Sequence, residues 1–409
     1  MEDWHNFGLN RLPPMSARTR VESPPAPLQA IIEQRTAHLT EALRGVTSDG
    51  TVTPGLFELR PTGADVGPLT DAALAFLGEL TPAQRERATF DMSSREWRTW
   101  INVHMNHFRH GVMLEDLGAE GRRRGLDLLR STLSETGYDT ARTLIRINEY
   151  IVALGADPDS FGAWPYFVSI FGQPGGDEPW GWQFDGHHLN INCVVVGDQV
   201  VLTPCFMGSE PRRIQTGPLA GLRVFDDEEQ GGIDLIRSFD STQRDRAILR
   251  PSIMPDDLPR HLKDPFDGRM QAGAFHDNLI APYEGVPASD MTDAQRGLLQ
   301  RLVASYLSRS PERFAELHLE AVINHLDDTW FHWMGGTDDH DPFYYRVHGP
   351  VVMIEFDHHP GVVFDNRQPT RNHIHTLIRT PNGGDYGHSL IARHHEQFDH
   401  SSGDHAPRH

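Results

Sequence analysis

Residues 187–207 read HHLNINCVVVGDQVVLTPCFM, and this stretch decides the fold class because apolar and polar residues alternate on both sides of a Gly-Asp pair. A period of two is typical of β-strands, and Gly197-Asp198 is typical of a two-residue hairpin turn. With that turn, opposed residues have numbers that add to 395. Leu189 then faces Phe206 on one side of the sheet.

The same register predicts a polar face and a separation of the two cysteines. Asn190 and Asn192 share the polar face with His188, and asparagine is a poor strand former, which favours a functional role for that face. Cys193 and Cys205 fall on opposite faces, so we expect two free thiols.

Aromatic and acidic residues flank this hairpin. Trp180 and Trp182 precede it and Glu210 follows it. Core packing explains the tryptophans. The alternative is that Trp180, Trp182, Asn190 and Asn192 line a substrate cleft, with His187, His188 and Glu210 as catalytic groups.

A second polar face is predicted in the C-terminal region. His373 and His375 are two residues apart on a predicted strand, so both imidazoles project from the same side and can reach one ion. The strand 351–357 places Glu355 and Asp357 on one side. We therefore predict a metal site of His373, His375, Glu355 and His188, with one divalent ion, Zn or Fe, and Cu as a further option.

Arg379 is followed by Thr380-Pro-Asn-Gly-Gly-Asp385, which has the composition of a turn. The functional alternative is that Arg379 and this loop bind a substrate carboxylate or phosphate. Arg379 is therefore included among the candidate catalytic residues.

Helical periodicity surrounds the strands, and the fold class predicted is α+β: a helical N-terminal layer packed on a mostly antiparallel sheet or sandwich with inserted helices. Short links between the strands require antiparallel pairing. We predict an extended arm over 1–26, a single unit over 27–392 and a flexible His-rich tail over 393–409. Within the unit, residues 27–160 are expected to be helical and 161–392 to hold the sheet and further helices.

Composition excludes several classes of protein. Lys and Arg number 37 against 57 Asp and Glu, a formal net charge of −20 that opposes binding to nucleic acid. No apolar run is long enough for a membrane span, and the first residues do not resemble an export signal. Two cysteines are too few for a disulfide framework. We expect a cytoplasmic protein whose partner is a small molecule, with a homo-oligomer possible.

Several of these segments resemble a bacterial family known as domain of unknown function 3500. The resemblance rests on the stretches WGWQFDGHHLNIN (180–192), YYRVHGP (344–350), IEFDH (354–358), RNHIHT (371–376) and RTPNGGDYG (379–387), and it covers about residues 30–395. It implies a single unit and directs attention to His187, His188, Glu355, His373 and His375. It implies no activity. Many members of that family begin with an export signal; the first residues here depart from that pattern, which favours the cytoplasm.

Three functions are compatible with these residues. The first is a metal-dependent enzyme that catalyses a hydrolysis or an elimination reaction of a small polar substrate by means of a metal-activated water. The second is a non-haem Fe(II) or Cu oxygenase or oxidase with a His/His/carboxylate site. The third is a non-catalytic protein that binds its ligand in a Trp-lined cleft.

Overall fold

The computed structural model describes residues 26–104, 109–158, 160–264, 266–361, 363–364 and 366–398. Most of the predicted N-terminal arm lies outside these residues, and so does the chain from 399 onward. None of the described helices is both long enough and apolar enough to cross a bilayer. The described helices are α1 Ala26–Thr36, α2 Gly67–Glu79, α3 Pro82–Ala88, α4 Ala119–Thr132, α5 Glu135–Ala153, α6 Asp226–Ser238, α7 Ser241–Ala247, α8 Asp293–Leu307, α9 Glu312–Asn324 and α10 His388–Gln397.

Thirteen strands form a single mixed sheet in which most neighbours are antiparallel, and this confirms the α+β class. The main path runs β1-β3-β4-β5-β7-β13-β12-β11-β10-β8, with β2 on β3, β6 on β5 and β9 on β10. The strands are β1 Thr89–Phe90, β2 Val112–Met113, β3 Tyr166–Phe171, β4 Trp180–Gly186, β5 Leu189–Val196, β6 Gln199–Val201, β7 Cys205–Ser209, β8 Ile248–Arg250, β9 Val286–Pro287, β10 Trp330–Gly335, β11 Phe343–His348, β12 Met353–His358 and β13 Ile374–Arg379.

The two faces of the sheet are covered differently. Helices α2, α4, α5, α6 and α8 pack on one face, where Trp182, Ile191 and Ile354 join their apolar side chains. Irregular segments cover the other face, where Trp100 and Phe275 pack on sheet residues such as Phe206. We call these the helical face and the loop face.

The N-terminal part expected to be helical holds five helices but is less regular than predicted. Residues 41–66 contain no helix. Strands β1 and β2 lie between α3 and α4, within the part that was expected to be helical. Helices α3 and α8 begin at capping boxes formed by Thr81 with Gln84 and by Thr292 with Gln295, a start signal that is legible in the sequence. At the C-terminal end, α10 continues to Gln397, so the first residues of the predicted tail are helical.

The predicted hairpin forms, but its register is wrong beyond the turn. Val195 pairs with Val200 as expected, whereas Leu189 pairs with Met207 instead of Phe206. The reason is an irregular link between β6 and β7 that contains a cis peptide before Pro204 and shifts the pairing by one residue. Cys205 therefore lies on the helical face together with Cys193, although both cysteines are free, as predicted.

The sheet is a tandem duplication that the sequence interpretation missed. In the first half Ile170 pairs with Trp182. In the second half Trp333 pairs with Tyr345, and each of these two residues lies 163 positions after its counterpart in the first half. Helices, edge strands and central strands recur in the same order in both halves. The strand order is consequently palindromic about the central pair β7–β13, which places a pseudo-two-fold axis there.

Candidate metal centre

His187 and His188 are the two residues of the turn between β4 and β5. Gly186 pairs with Leu189 directly before and after them. His188 has φ of 60°, a left-handed conformation that is uncommon outside glycine and tends to occur at functional sites. This backbone orientation directs the His188 side chain towards the ends of β7 and β13.

Two further histidines reach the same point from β13. His375 lies opposite Gly208 of β7, and His373 precedes the strand by one residue. A Cβ atom on Gly208 would lie 3.0 Å from His375 Cδ2 and 3.2 Å from His188 Cδ2. The absence of a side chain at position 208 therefore lets the two imidazoles approach each other.

The three Nε2 atoms form a nearly equilateral triangle. His373 Nε2 lies 3.1 Å from His375 Nε2 and 3.2 Å from His188 Nε2, and the third side is 3.2 Å. The predicted convergence of His188 with His373 and His375 is confirmed. The ring nitrogens in such a triangle cannot all be satisfied by one another, because each Nε2 has a single in-plane position, either a proton or a lone pair, and cannot donate to one neighbour while it accepts from the other. Three ligands of a tetrahedral ion at about 2.0–2.1 Å are about 3.3 Å apart, so the triangle fits one metal ion.

A hydrogen bond beside the triangle favours an unprotonated Nε2 on His373. His373 Nδ1 lies 2.6 Å from the carbonyl oxygen of Pro360. A carbonyl only accepts, so Nδ1 carries the proton and Nε2 presents a lone pair. Such an outer partner is a regular feature of metal-binding histidines.

His187 lies beside the triangle without belonging to it. Its ring stacks on that of His188 with centroids 3.8 Å apart. Its Nδ1 lies 2.7 Å from Oδ1 of Asn148, whose amide nitrogen is committed to the carbonyl of Gly162. The proton therefore resides on Nδ1, and Nε2 of His187 can accept a proton.

Burial keeps the imidazoles of His187, His188 and His375 neutral. It lowers the pKa of His188 and His375 well below the ordinary value, and the neighbouring imidazoles lower both further. The pKa of His187 is lowered in the same way, first by burial and then by His104. Neutral imidazole is the form that binds a metal ion.

Glu355, predicted as a ligand, is committed elsewhere. Its carboxylate accepts hydrogen bonds from the backbone amides of Gln271 and Ala272, from Tyr344 and from Arg346. Among the described residues, the group able to hold a metal consists of three histidines only. The expected two-His-one-carboxylate set is therefore replaced by a His188, His373 and His375 set.

The carboxylates nearest to the triangle have structural partners. Asp357 is directly opposite His375 in the sheet, but it binds Arg269 and His359. Glu210 accepts from the amides of Val363 and Phe364, and one of its oxygens is 3.6 Å from His373 Nδ1. Glu210 therefore lies beside His373, one member of the triangle.

Arg379 is buried in a network of its own. Its guanidinium pairs with Asp277 and Asp385 and donates to the carbonyls of Ala272 and Gly273. These bonds fix the end of β13 and leave the side chain fully buried. The substrate-anchoring role suggested by the sequence is not supported by these contacts.

The four residues predicted to bind substrate lie within the fold. Trp180 and Trp182 belong to the core on the helical face, as core packing predicts. Asn190 bonds to Asp185 and the backbone, and Asn192 bonds to Gln183 and the carbonyl of Pro204. The four side chains therefore do not form the predicted cleft.

The sequence interpretation missed three residues that shape the site: Asn148, Gly208 and His359. The His359 ring stacks on His375 with centroids 3.8 Å apart, and its Nε2 lies 2.9 Å from Asp357. His359 directly follows β12, and the sequence pattern gave it no role. Gly208 and Asn148 carried no local signal, because their importance depends on the neighbours that the fold supplies.

Comparison with known proteins supports the family resemblance. No match was found among curated proteins or among solved structures. A family model described as "Protein of unknown function (DUF3500)" matches residues 62–388. This range contains both His-bearing segments and both halves of the duplicated sheet. The chain therefore belongs to the DUF3500 family.

Proposed function

We propose that this protein is a metal-dependent enzyme that acts on a small, polar organic substrate. The observation that carries the proposal is the triangle of His188, His373 and His375 Nε2 atoms, 3.1–3.2 Å apart. Three protein ligands are typical of catalytic zinc, whereas structural zinc usually has four. A fourth position then remains for water or substrate.

The ligand set favours hydrolysis or elimination. Three neutral imidazoles leave the full positive charge of a divalent ion uncompensated. When bound, zinc lowers the pKa of a coordinated water to about 7 and polarises a carbonyl group.

His187 is the proposed proton carrier. Asn148 holds its Nδ1 proton, which fixes the ring and leaves Nε2 free of a proton. The stacked position beside His188 keeps the His187 ring at the metal centre. Glu210, 3.6 Å from His373 Nδ1, orients that ligand together with the Pro360 carbonyl.

Oxidative chemistry with Fe(II) or Cu is the second candidate, because imidazole also suits these metals. The common non-haem iron set contains a carboxylate, and the commitment of Glu355 to Arg346 argues against it here. The binding-protein alternative depended on a tryptophan cleft, and Trp180 and Trp182 pack in the core. We therefore place both alternatives behind the hydrolytic function.

Metal analysis of protein expressed without added metal tests the proposal. We expect about one equivalent of zinc per chain. One equivalent of Fe or Cu would favour the oxidative alternative, and protein that stays metal-free after incubation with each ion would refute the metal centre.

Replacing His375 by Ala should remove the metal and leave the fold intact, because a catalytic site contributes less to folding than a structural one. His340→Ala is the matched control, since His340 is exposed. Metal content and thermal unfolding are measured together for both variants. Full metal retention in His375→Ala would place the site elsewhere, and loss of metal together with unfolding would indicate structural zinc.

A further inference from the structure

A cavity of about 370 Å³ lies on the helical face of the sheet, beneath α9. Its walls come from the sheet, from α8 and α9 and from the segment before α2. The apolar part of the lining includes Leu56, Phe57, Ile191, Leu202, Phe314 and Ile378. The metal-binding histidines are not among the lining residues, so the cavity is separate from the proposed metal centre.

The duplicated fold shows that α9 packs unusually loosely. Helix α5 occupies the corresponding place in the first half and buries seven of its residues. In α9, whose residues are all described, Val322 alone is buried. The space that the side chains of α5 fill in one half is thus left open under α9 in the other.

Hydrogen bonds to the β5–β6 hairpin hold the outer wall of the cavity in place. Gln199 accepts from the Arg60 amide at 2.8 Å and donates to the Glu58 carbonyl at 3.2 Å. The Asp198 carboxylate accepts from the amide of Thr62. The wall is therefore fixed without a ligand, as in most small-molecule sites, whose volumes are about 300–1,000 Å³.

Polar groups are concentrated at the rim. Arg60 and Asn324 are exposed there, and His325 is partly exposed. The buried Arg309 lies deeper, where it is neutralised by Glu228 and bonds to Thr376. The interior thus offers mainly apolar side chains, with the hydroxyls of Thr203 and Thr380 bonded to each other, and the exposed part of the lining also includes Glu58 and Glu320.

We infer that this cavity binds a small amphiphile whose apolar chain lies between α9 and the sheet and whose polar head reaches the rim. An apolar cavity of about 150 Å³ already accepts a benzene-sized guest, so the larger space under α9 accommodates a medium-length alkyl chain. The inference does not depend on the proposed metal chemistry.

Titration of the full chain with decanoate, with butyrate as the short-chain comparison, tests the inference by calorimetry. We expect saturable binding of one decanoate per chain and at least tenfold weaker binding of butyrate. Ala321→Phe places a ring in the cavity and should weaken decanoate binding at least tenfold. Ile323→Phe, at an exposed position of the same helix, should leave it unchanged.

Leu202→Phe fills the cavity from the sheet side and replaces Ala321→Phe if that variant does not fold. Metal content is followed in each variant and should stay constant. No saturable binding of decanoate to the wild-type chain would overturn the inference, and so would equal binding in the folded cavity-filling variants.

Discussion

Gly208 illustrates how one residue can shape the triangle of His188, His373 and His375 without belonging to it. Its backbone amide donates to the carbonyl of His188, and its missing side chain leaves room for His188 and His375. The carbonyl oxygen of Ile374 lies 3.1 Å from the place of a Cβ atom, so the space is closed on three sides.

Replacing Gly208 by Ala should therefore lower metal affinity. The added methyl group forces the two imidazoles apart by a few tenths of an ångström, and we expect a loss of about 10- to 100-fold, as for other disturbances around metal ligands. Competition with a chelator of known affinity measures it.

Gly78→Ala is the control for this prediction, because Gly78 is exposed in α2 and a Cβ atom there meets nothing within 4 Å. It should leave metal affinity unchanged. Equal affinities of the Gly208 variant and the wild type would show that the imidazoles adjust without cost.

The sequence predicted the three histidines of the triangle and grouped Glu355 with them, whereas the oxygens of Glu355 have other partners. His373 and His375 were found because alternate strand residues share a face, and this rule is local. Glu355 satisfies the same rule, but Arg346, Tyr344 and two backbone amides use its oxygens. Competition for a carboxylate is decided by long-range contacts, which the pattern of a single strand does not contain.

At the scale of elements, the strand pair β11–β12 repeats the pair β4–β5 with different chemistry. Arg346 lies opposite Glu355, where the first half has Gln183 opposite Asn192. Arg346 and Glu355 are both fully buried and 2.9 Å apart. A neutral hydrogen-bonded pair has thus been exchanged for an ion pair at the same place in the sheet.

Removing the charge of Glu355 should destabilise the fold and spare the metal. In Glu355→Gln the buried Arg346 loses its counter-ion, which costs about 3–5 kcal/mol of the free energy of unfolding. Urea denaturation measures this loss, and metal content per folded chain should equal that of the wild type. Loss of metal from folded Glu355→Gln would restore Glu355 as a ligand.

Glu316→Gln supplies the comparison. Glu316 forms an exposed pair with Arg313 on α9, and such pairs contribute about 0–1 kcal/mol. The two variants change the same chemical group, so the burial of Glu355 and its hydrogen bonds account for the expected difference between them.

Helix starts and turns were predictable because they depend on a few neighbouring residues. Strand register was less predictable where an irregular segment separates two strands. Helix caps at Thr81 and Thr292 and the turn at Gly197-Asp198 are short-range features. The register of β5 on β7 depends on the link before Cys205. This link has no alternation of apolar and polar residues from which its conformation could be predicted. One extra residue in that link moved Cys205 to the other face of the sheet.

At the scale of the molecule, buried histidines outside the metal centre should make the protein sensitive to acid. Burial lowers the pKa of His348 to about 3 and lowers that of His318 and His332 as well. Between about pH 6.5 and 3 the unfolded chain binds protons at these positions and the folded chain does not. Stability is therefore lost as the pH falls through this range.

His348→Phe should reduce that loss. The phenyl ring preserves the contact with Tyr283, whose centroid is 4.7 Å away, and cannot take up a proton. The stability-versus-pH curve should become shallower by up to about 1.4 kcal/mol per pH unit, whereas the exposed control His340→Phe should follow the wild type. Urea titrations between pH 7.5 and 4.5 measure the slopes, and identical slopes would contradict the prediction.

The duplication could not be seen in the sequence because the halves share pairing geometry and helix-start chemistry more than side chains. The equivalent of His188 is Val351, since Gly186 and Gly349 occupy matching positions before the turn. Phe206 and Arg379 are equivalent residues of the two halves. Leu202 lies four residues before Phe206, and His375 lies four residues before Arg379, so Leu202 corresponds to His375. Each of these two histidines is thus replaced by an apolar residue at the equivalent position of the other half.

The pseudo-two-fold axis makes the chain comparable to a dimer whose protomers have been fused. His188 belongs to the first protomer-like half, and His373 and His375 belong to the second, so a bound ion would cross-link the halves as it would cross-link subunits. The connection between them is exposed at residues 215–218. Two polypeptides divided within this connection should reassemble through β7 and β13, and zinc should tighten their association while a chelator loosens it.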